Sequence, residues 1–296
     1  MTLSDKLIIN VALTGMVPTK GDNPAVPMSA DEIAADVRRC CDLGASIFHI
    51  HARDPDGKPT YRIEVYREII GRVREHVKEA VVCVTTSGRH FHEFEKRSEV
   101  LDLSGPLKPE MASLTLGSMN FPKEASINAP ATIQSLAAKM HDKGIVPELE
   151  AFDMGMIEYS KYLLDKKILK QPLYYNLLLG SLGTIGATPL NLAMMVNSLP
   201  AQSTWAAAGI GKFQFSMNAL AITMGGHVRV GLEDNLFMDA EKKDPATNAR
   251  LVERLVKLGR AAGREPATSA DAKAMIGLKS GVILKDNLDV RVESHR

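Results

Sequence analysis

Cysteine is scarce: Cys40, Cys41 and Cys83 are the three thiols in 296 residues. Cys40 and Cys41 are adjacent, so they cannot both face one partner across a helix, and no CxxC pair occurs. A disulfide scaffold is excluded, and the thiols read as reduced, mostly buried side chains of a cytosolic protein. Charge of one sign is also lacking. The net charge is +1, from 36 basic and 35 acidic residues, so there is no global field of the kind that nucleic acid or an anionic membrane demands. No apolar run reaches the roughly 18 residues of a membrane span, and no charged start leads into an apolar h-region. The expectation is a soluble, cytoplasmic protein with neither nucleic acid nor membrane as a partner. No low-complexity stretch or linker divides the chain.

What is present is alternation. The chain is 45% apolar, enough for a full core. Short apolar runs alternate with longer amphipathic ones. Strands are expected at Leu7–Leu13, Ala45–Ala52, Val81–Thr86, Met111–Leu116, Ile145–Ala151, Leu173–Leu179, Thr204–Ala208 and His227–Leu232. Helices are expected between them, the first opened by a capping box at Ser29–Glu32 and stopped by Gly44. Strict βα alternation implies a parallel sheet. Eight units over a length near 250 residues favour a closed (β/α)8 TIM barrel. A doubly wound open sheet would usually carry GxGxxG after its first strand, and Thr14–Pro18 is no such turn. Residues 1–296 therefore read as one barrel domain, with a short helical extension near Asp271–Leu278 and then a polar end.

In a barrel, chemistry sits at the C-terminal ends of the strands, and polar residues gather there. The second strand ends His49-Ile-His51-Ala-Arg53. Period two puts His49, His51 and Arg53 on the inner face, at steps of about 6.6 Å, while Phe48 and Ile50 face the helices. Imidazoles at i and i+2 form a chelating pair for a divalent metal. The eighth strand, Gly226-His-Val-Arg229-Val-Gly231-Leu-Glu233-Asp234, places Arg229 and Glu233 on one face, with Asp234 where the strand turns into its loop. A buried guanidinium needs carboxylate partners, and the fifth strand supplies Glu148 and Glu150. Hydroxyls at Thr85, Ser87, Ser113 and Thr115, with Gly88, lie where a small carboxylate would be held. The residues alone imply a mononuclear site of two histidines and one glutamate, leaving a position open for substrate or water. Zinc fits, and the same donors suit Fe(II) or Mn(II).

These segments carry a resemblance. ALTG, HIHARD, KPEMASL, VPELEAFDMG, TWAAAGIGKFQ and GGHVRVGLEDN, in this order, resemble the β-keto acid cleavage enzymes, of which the 3-keto-5-aminohexanoate cleavage type is the best known. The likeness runs from about Leu7 to Leu278. It implies a (β/α)8 barrel assembled as a homodimer or homotetramer, with zinc on His49, His51 and Glu233. It implies that a β-keto acid and acetyl-CoA, as co-substrate, give acetoacetate and a new acyl-CoA by a Claisen/retro-Claisen route. Asp234 would be the general base, set up by Arg229 and Glu148. Thr85, Ser87, Gly88, Ser113 and Thr115 would lie at the substrate carboxylate. One departure matters: where the aminohexanoate-cleaving type has a glutamate suited to a substrate ammonium, this chain has Val17. A primary ammonium tail is not expected, an uncharged tail is, and a quaternary cation could still use aromatic faces.

Two glycine-rich segments, Gly180–Gly186 and Gly209–Lys212, either offer amides to CoA phosphates or are plain turns. A metal-dependent hydrolase would also use HxH on a strand but wants histidines on the fifth and sixth strands, where Glu148, Glu150 and Asn176 stand. An aldolase or lyase is the closer rival, with its HxH expected late in the barrel. A barrel that only binds small acids finds no support, since the His, Glu, Arg and Asp set is complete. His90 and His92 read as loop residues rather than a second metal pair.

Overall fold

The computed structural model describes residues 2–278, so the polar end foreseen after Leu278 lies outside the described residues. Eight parallel strands close on themselves in sequence order. They are β1 (Ile9–Ala12), β2 (Ile47–Ile50), β3 (Val81–Val84), β4 (Met111–Thr115), β5 (Val146–Ala151), β6 (Leu173–Leu179), β7 (Ser203–Gly209) and β8 (His227–Val230). The helices are α1 (Ala30–Leu43), α2 (Ile63–His76), α3 (Phe94–Ser98), α4 (Pro130–Asp142), α5 (Met154–Asp165), α6 (Pro189–Asn197), α7 (Gln214–Thr223), α8 (Asn248–Ala261) and α9 (Ser269–Met275). The fold is the (β/α)8 barrel that the alternation predicts. Among the described residues no helix is long and apolar enough to cross a membrane.

Local chemistry sets the boundaries. Ser29 Oγ accepts from the Glu32 amide and Glu32 Oε2 from the Ser29 amide, closing the expected capping box. Gly44 ends α1 with φ 116°, and a Cβ there would stand 2.8 Å from Pro266. The α3 region is shorter than its sequence pattern suggests, because the chain tightens to a 3-10 turn over Glu99–Asp102. Outward-facing strand residues such as Phe48, Ile50, Leu149 and Val228 pack against the helices in one large core. Each buried residue of this size contributes on the order of 1.5–3 kcal/mol.

The barrel interior is layered. Ile8, Ile47, Val81, Met111, Tyr174 and Ala206 fill the lower part. Ala272 of α9 and Ile276 just beyond its end plug it from below, beside a two-residue parallel pair between Lys6–Leu7 and Glu265–Pro266. Above this floor the inward positions turn polar: Asn10, His49, Glu148, Glu150, Asn176 and Arg229 are all buried. The apolar floor and the polar upper layer place the chemistry at the C-terminal mouth.

Candidate active site

Period two on β2 points Ile47 into the floor and His49 into the layer above it, and His51 follows just past the strand end. The two Nε2 atoms face each other at 3.1 Å. Glu233 Oε1 lies 3.2 Å from His51 Nε2, and its Oε2 lies 3.9 Å from His49 Nε2. Adjacent donor atoms around a tetrahedral cation with bonds near 2.0–2.2 Å would be about 3.3–3.6 Å apart. Glu233 Oε2 is buried with no hydrogen-bond partner, as a ligand oxygen awaiting a cation would be. The donors therefore fit a divalent metal. His49, Cys83 and Glu148 also gather three ligand atoms, but burial pushes the Cys83 thiol up, against the thiolate a metal needs.

Glu148 fixes the orientation of His49. Its Oε2 accepts from His49 Nδ1 at 2.6 Å and its Oε1 from Asn10 Nδ2 at 2.6 Å, which leaves His49 Nε2 aimed at His51 and Glu233. Burial would raise the Glu148 carboxyl, but His49, Arg229 and Asn10 bring it down to about 2. Burial lowers the His49 imidazole, yet Glu148 and Glu233 win and raise it to about 9. Glu148 therefore bonds His49 and Asn10 directly and reaches Asp234 through Arg229, whose Nη1 lies 3.7 Å from Glu148 Oε2. Burial raises the Asp234 carboxyl, Arg229 lowers it, and Glu233 is the carboxylate that adds to the rise.

Arg229 is the hub. Its side chain is 1% exposed, and it donates to four oxygens on three carboxylates: Asp234 through Nε and Nη2, Glu233 through Nη2, and Glu150 through Nη1. Glu148 stands 3.7 Å from Nη1. Four carboxylates thus surround one guanidinium, an excess of negative charge that a divalent cation would offset.

Glu233 and Asp234 both turn inward, which a straight strand cannot arrange for neighbours. The reason is Gly231, with φ 148° and a position where a Cβ would meet Ala12 O at 2.0 Å. β8 ends before it, and a turn begins in which the Asp234 and Asn235 amides return to Gly231 O. Gly15 does a second service: a Cβ there would stand 2.7 Å from Glu233 Cγ. Neither acid caps the next helix, since Thr247 caps α8.

The cavity over this cluster holds about 330 Å³ and has apolar walls that include Met16, Met119, Phe121, Phe152 and Leu178. Thr85, Ser87, Thr115 and Val17 line it. Thr115 donates to Glu150 Oε2 at 2.7 Å. Ser113 and Gly88 do not line the cavity. The Ser113 Oγ accepts from the Thr86 amide, and Gly88 packs where a Cβ would meet Ile127 O at 2.1 Å. Arg53 also leaves the inner face, because β2 has ended. Its guanidinium donates to the carbonyls of Gly15, Pro18 and Gly57 and ties down the loop after β1. The Gly180 and Gly211 amides are engaged within the protein, by Ile185 O and Asp234 O, as in plain turns. His92 Nδ1 sits at Gly88 O, and His90 faces Glu124 at 3.5 Å, far from forming a metal pair.

Sequence reasoning missed Asn10, whose interior parity on β1 was readable, and Arg89, which lines the cavity from the loop after β3. It also missed the antiparallel ribbon Met119–Asn120/Ala125–Ser126 that overhangs the mouth.

Comparison with known proteins identifies the family. Residues 6–278 match the family model described as beta-keto acid cleavage enzyme. A protein of Fusobacterium nucleatum named 3-keto-5-aminohexanoate cleavage enzyme is 38% identical over 94% of this chain and 100% of its own length. A protein of Cupriavidus necator named 3-oxoadipate:acetyl-CoA acetyltransferase is 34% identical over 94% of this chain and 97% of its own. The apo structure of ObcA superposes with a TM-score of 0.77 at 20% identity, covering 86% of this chain and 66% of that one, a likeness of fold.

Proposed function

The chain belongs to the β-keto acid cleavage enzyme family, and from that premise we propose that it converts a β-keto acid and acetyl-CoA into acetoacetate and a new acyl-CoA. The observation that carries this reading is the inner cluster: two imidazole nitrogens facing each other beside an unpaired carboxylate oxygen, with Asp234 held by a buried arginine. His49, His51 and Glu233 would hold the metal, zinc by family likeness, with Fe(II) or Mn(II) suited to the same donors. A cation bound there supplies Lewis-acid polarisation of the substrate ketone.

The remaining chemistry belongs to side chains. Asp234 takes the proton from the carbon between ketone and carboxylate. Burial and Glu233 raise its carboxyl toward the acidity such a carbon requires, while the Arg229 fork fixes its direction. Thr85 Oγ1 accepts from the Ser87 amide, and Ser87 Oγ from the Arg89 amide. Both hydroxyl protons are thereby left to donate to the substrate carboxylate. The deprotonated carbon attacks the acetyl thioester, forming a C–C bond and releasing CoA thiolate. That thiolate adds to the substrate's original ketone carbon, the bond between that carbon and the deprotonated one breaks to give the new acyl-CoA, and the acetoacetate carbanion takes back the proton held by Asp234. A cavity of about 330 Å³ suits a short keto acid and the thioester end, with the rest of CoA over the rim.

Val17 lies at the mouth, 48% exposed. The carboxylates that line the cavity, Glu150, Glu233 and Asp234, are each bonded to Arg229. With Glu233 Oε2 kept for the metal, a primary ammonium tail finds no free carboxylate among the described residues that line the cavity, and 3-keto-5-aminohexanoate is a poor substrate. The test is acetoacetate release from acetyl-CoA and β-keto acids with neutral, cationic and anionic tails. Release with a tail class other than primary ammonium is expected. Turnover of the aminohexanoate at about 10⁴ M⁻¹s⁻¹ or better would overturn the tail assignment, and no release from any acid would overturn the reaction.

A further inference from the structure

Two guanidinium groups line the cavity, Arg229 and Arg89. Arg229 has every nitrogen directed at a carboxylate. Arg89 is different: its side chain is 15% exposed, its Nε is buried without a hydrogen-bond partner, and its guanidinium makes no hydrogen bond among the described residues. Glu124 is its ion-pair neighbour, 3.4 Å from Nε, but that carboxylate is 36% exposed and is shared with His90. The guanidinium carbon lies 3.5 Å above the centre of the Phe121 ring, which itself packs edge-on against Phe152. One face of the fork is therefore fixed on an aromatic platform, and its in-plane donors remain available.

We infer that Arg89 takes a carboxylate of the β-keto acid. A planar fork with unused donors matches a carboxylate in bidentate geometry. The charge of the site agrees: four carboxylates face one Arg229 guanidinium, an excess that a divalent cation offsets only in part, and a cation at the wall draws in an anionic substrate. Placement agrees, because the Arg89 amide donates to Ser87 Oγ, so one loop presents a hydroxyl and the guanidinium side by side. The carboxylate has two sources, the acid group common to all β-keto acids or a second one at the tail. The identity of the acid rests on the acyl-transfer reading.

The test is calorimetric binding of acetoacetate and of the dicarboxylate 3-oxoadipate to the full-length protein and to Arg89→Gln, without acetyl-CoA. Losing a charge-assisted bidentate contact weakens binding about 10- to 100-fold. Equal weakening for both acids identifies the common carboxylate, and weakening confined to 3-oxoadipate identifies a tail carboxylate. Either supports the inference, as does partial recovery in Arg89→Lys, which keeps the charge and loses the fork. Unchanged affinity for both acids overturns it, as does an effect seen only as a raised KM for acetyl-CoA. Arg89→Met, whose stem still covers Phe121, serves should glutamine disturb the loop. Because binding needs no turnover, an Arg89-dependent affinity with no acetoacetate formed leaves the inference standing and sinks the acyl-transfer reading.

Discussion

Glu148→Gln is the substitution whose consequence the structure specifies most fully. The carboxylate accepts one hydrogen bond from His49 Nδ1 and one from Asn10 Nδ2, both at 2.6 Å. A glutamine keeps one acceptor and turns the other oxygen into a donor. Keeping the acceptor toward His49 aims the new amide at Asn10, whose Oδ1 is buried without a partner. A flip of the Asn10 amide then restores that bond, so the variant should fold. What is lost is charge beside His49, and an outer carboxylate of this kind is worth about 10- to 100-fold in metal affinity, or about 1.4–2.8 kcal/mol. Glu148→Ala is a different perturbation. It strands two buried donors and leaves Arg229 short of one neighbouring anion, at a cost on the order of 3–5 kcal/mol in stability. Zinc affinity by competition with a chromogenic chelator, read with a thermal melt, separates the two. Undiminished zinc affinity in Glu148→Gln would refute the argument that Glu148 tunes His49.

Other outcomes follow from the same geometry. Asp234→Asn should lower kcat about 10²- to 10⁴-fold, as for a lost general base, with zinc content unchanged by elemental analysis. Gly231→Ala should cost at least about 1–3 kcal/mol in backbone strain and more from its clash with Ala12 O, and it should weaken zinc binding by displacing Glu233; melting temperature and zinc titration check both. For pH, the metal-free protein is the reference. His49 is raised from 6.5 to about 9, so its stabilisation is fully present below pH 6.5 and is lost as pH rises through about 9. Glu148, lowered from 4.5 to about 2, contributes stability above pH 4.5 that is lost as pH falls through about 2. A metal must displace the His49 proton, so affinity should climb about tenfold per pH unit up to about pH 9 and then flatten.

Much of this was legible because local patterns carried it. The Ser29–Glu32 capping box, Gly44 and the eightfold alternation specify elements through near neighbours, and closure follows from parallel pairing. His49 and His51 were readable from parity on one strand. Contacts across the barrel were not: Asn10, Glu148 and His49 meet only when three strands reach the same level, and no sequence period records that level. Alternation alone would make Gly231 one more inward strand residue. Its actual role, turning Glu233 and Asp234 to the same side, depends on the proximity of Ala12 O. Small polar residues at strand ends are shared by binding sites and by backbone turns, and Ser113, at the Thr86 amide, and Gly88, packed against Ile127 O, stand off the cavity wall. Arg89 gave no signal at all, since its platform Phe121 lies on a ribbon 32 residues further along the chain.

The central claim is that a metal on His49, His51 and Glu233 works with Asp234 to open a β-keto acid. The most direct measurement is acetoacetate formation from acetyl-CoA and a β-keto acid by the protein as purified, after chelation to below a tenth of an equivalent of metal, and after zinc is restored. The account predicts activity, its loss and its return, with no return in His51→Ala. Full activity in protein shown by elemental analysis to be metal-free would contradict it.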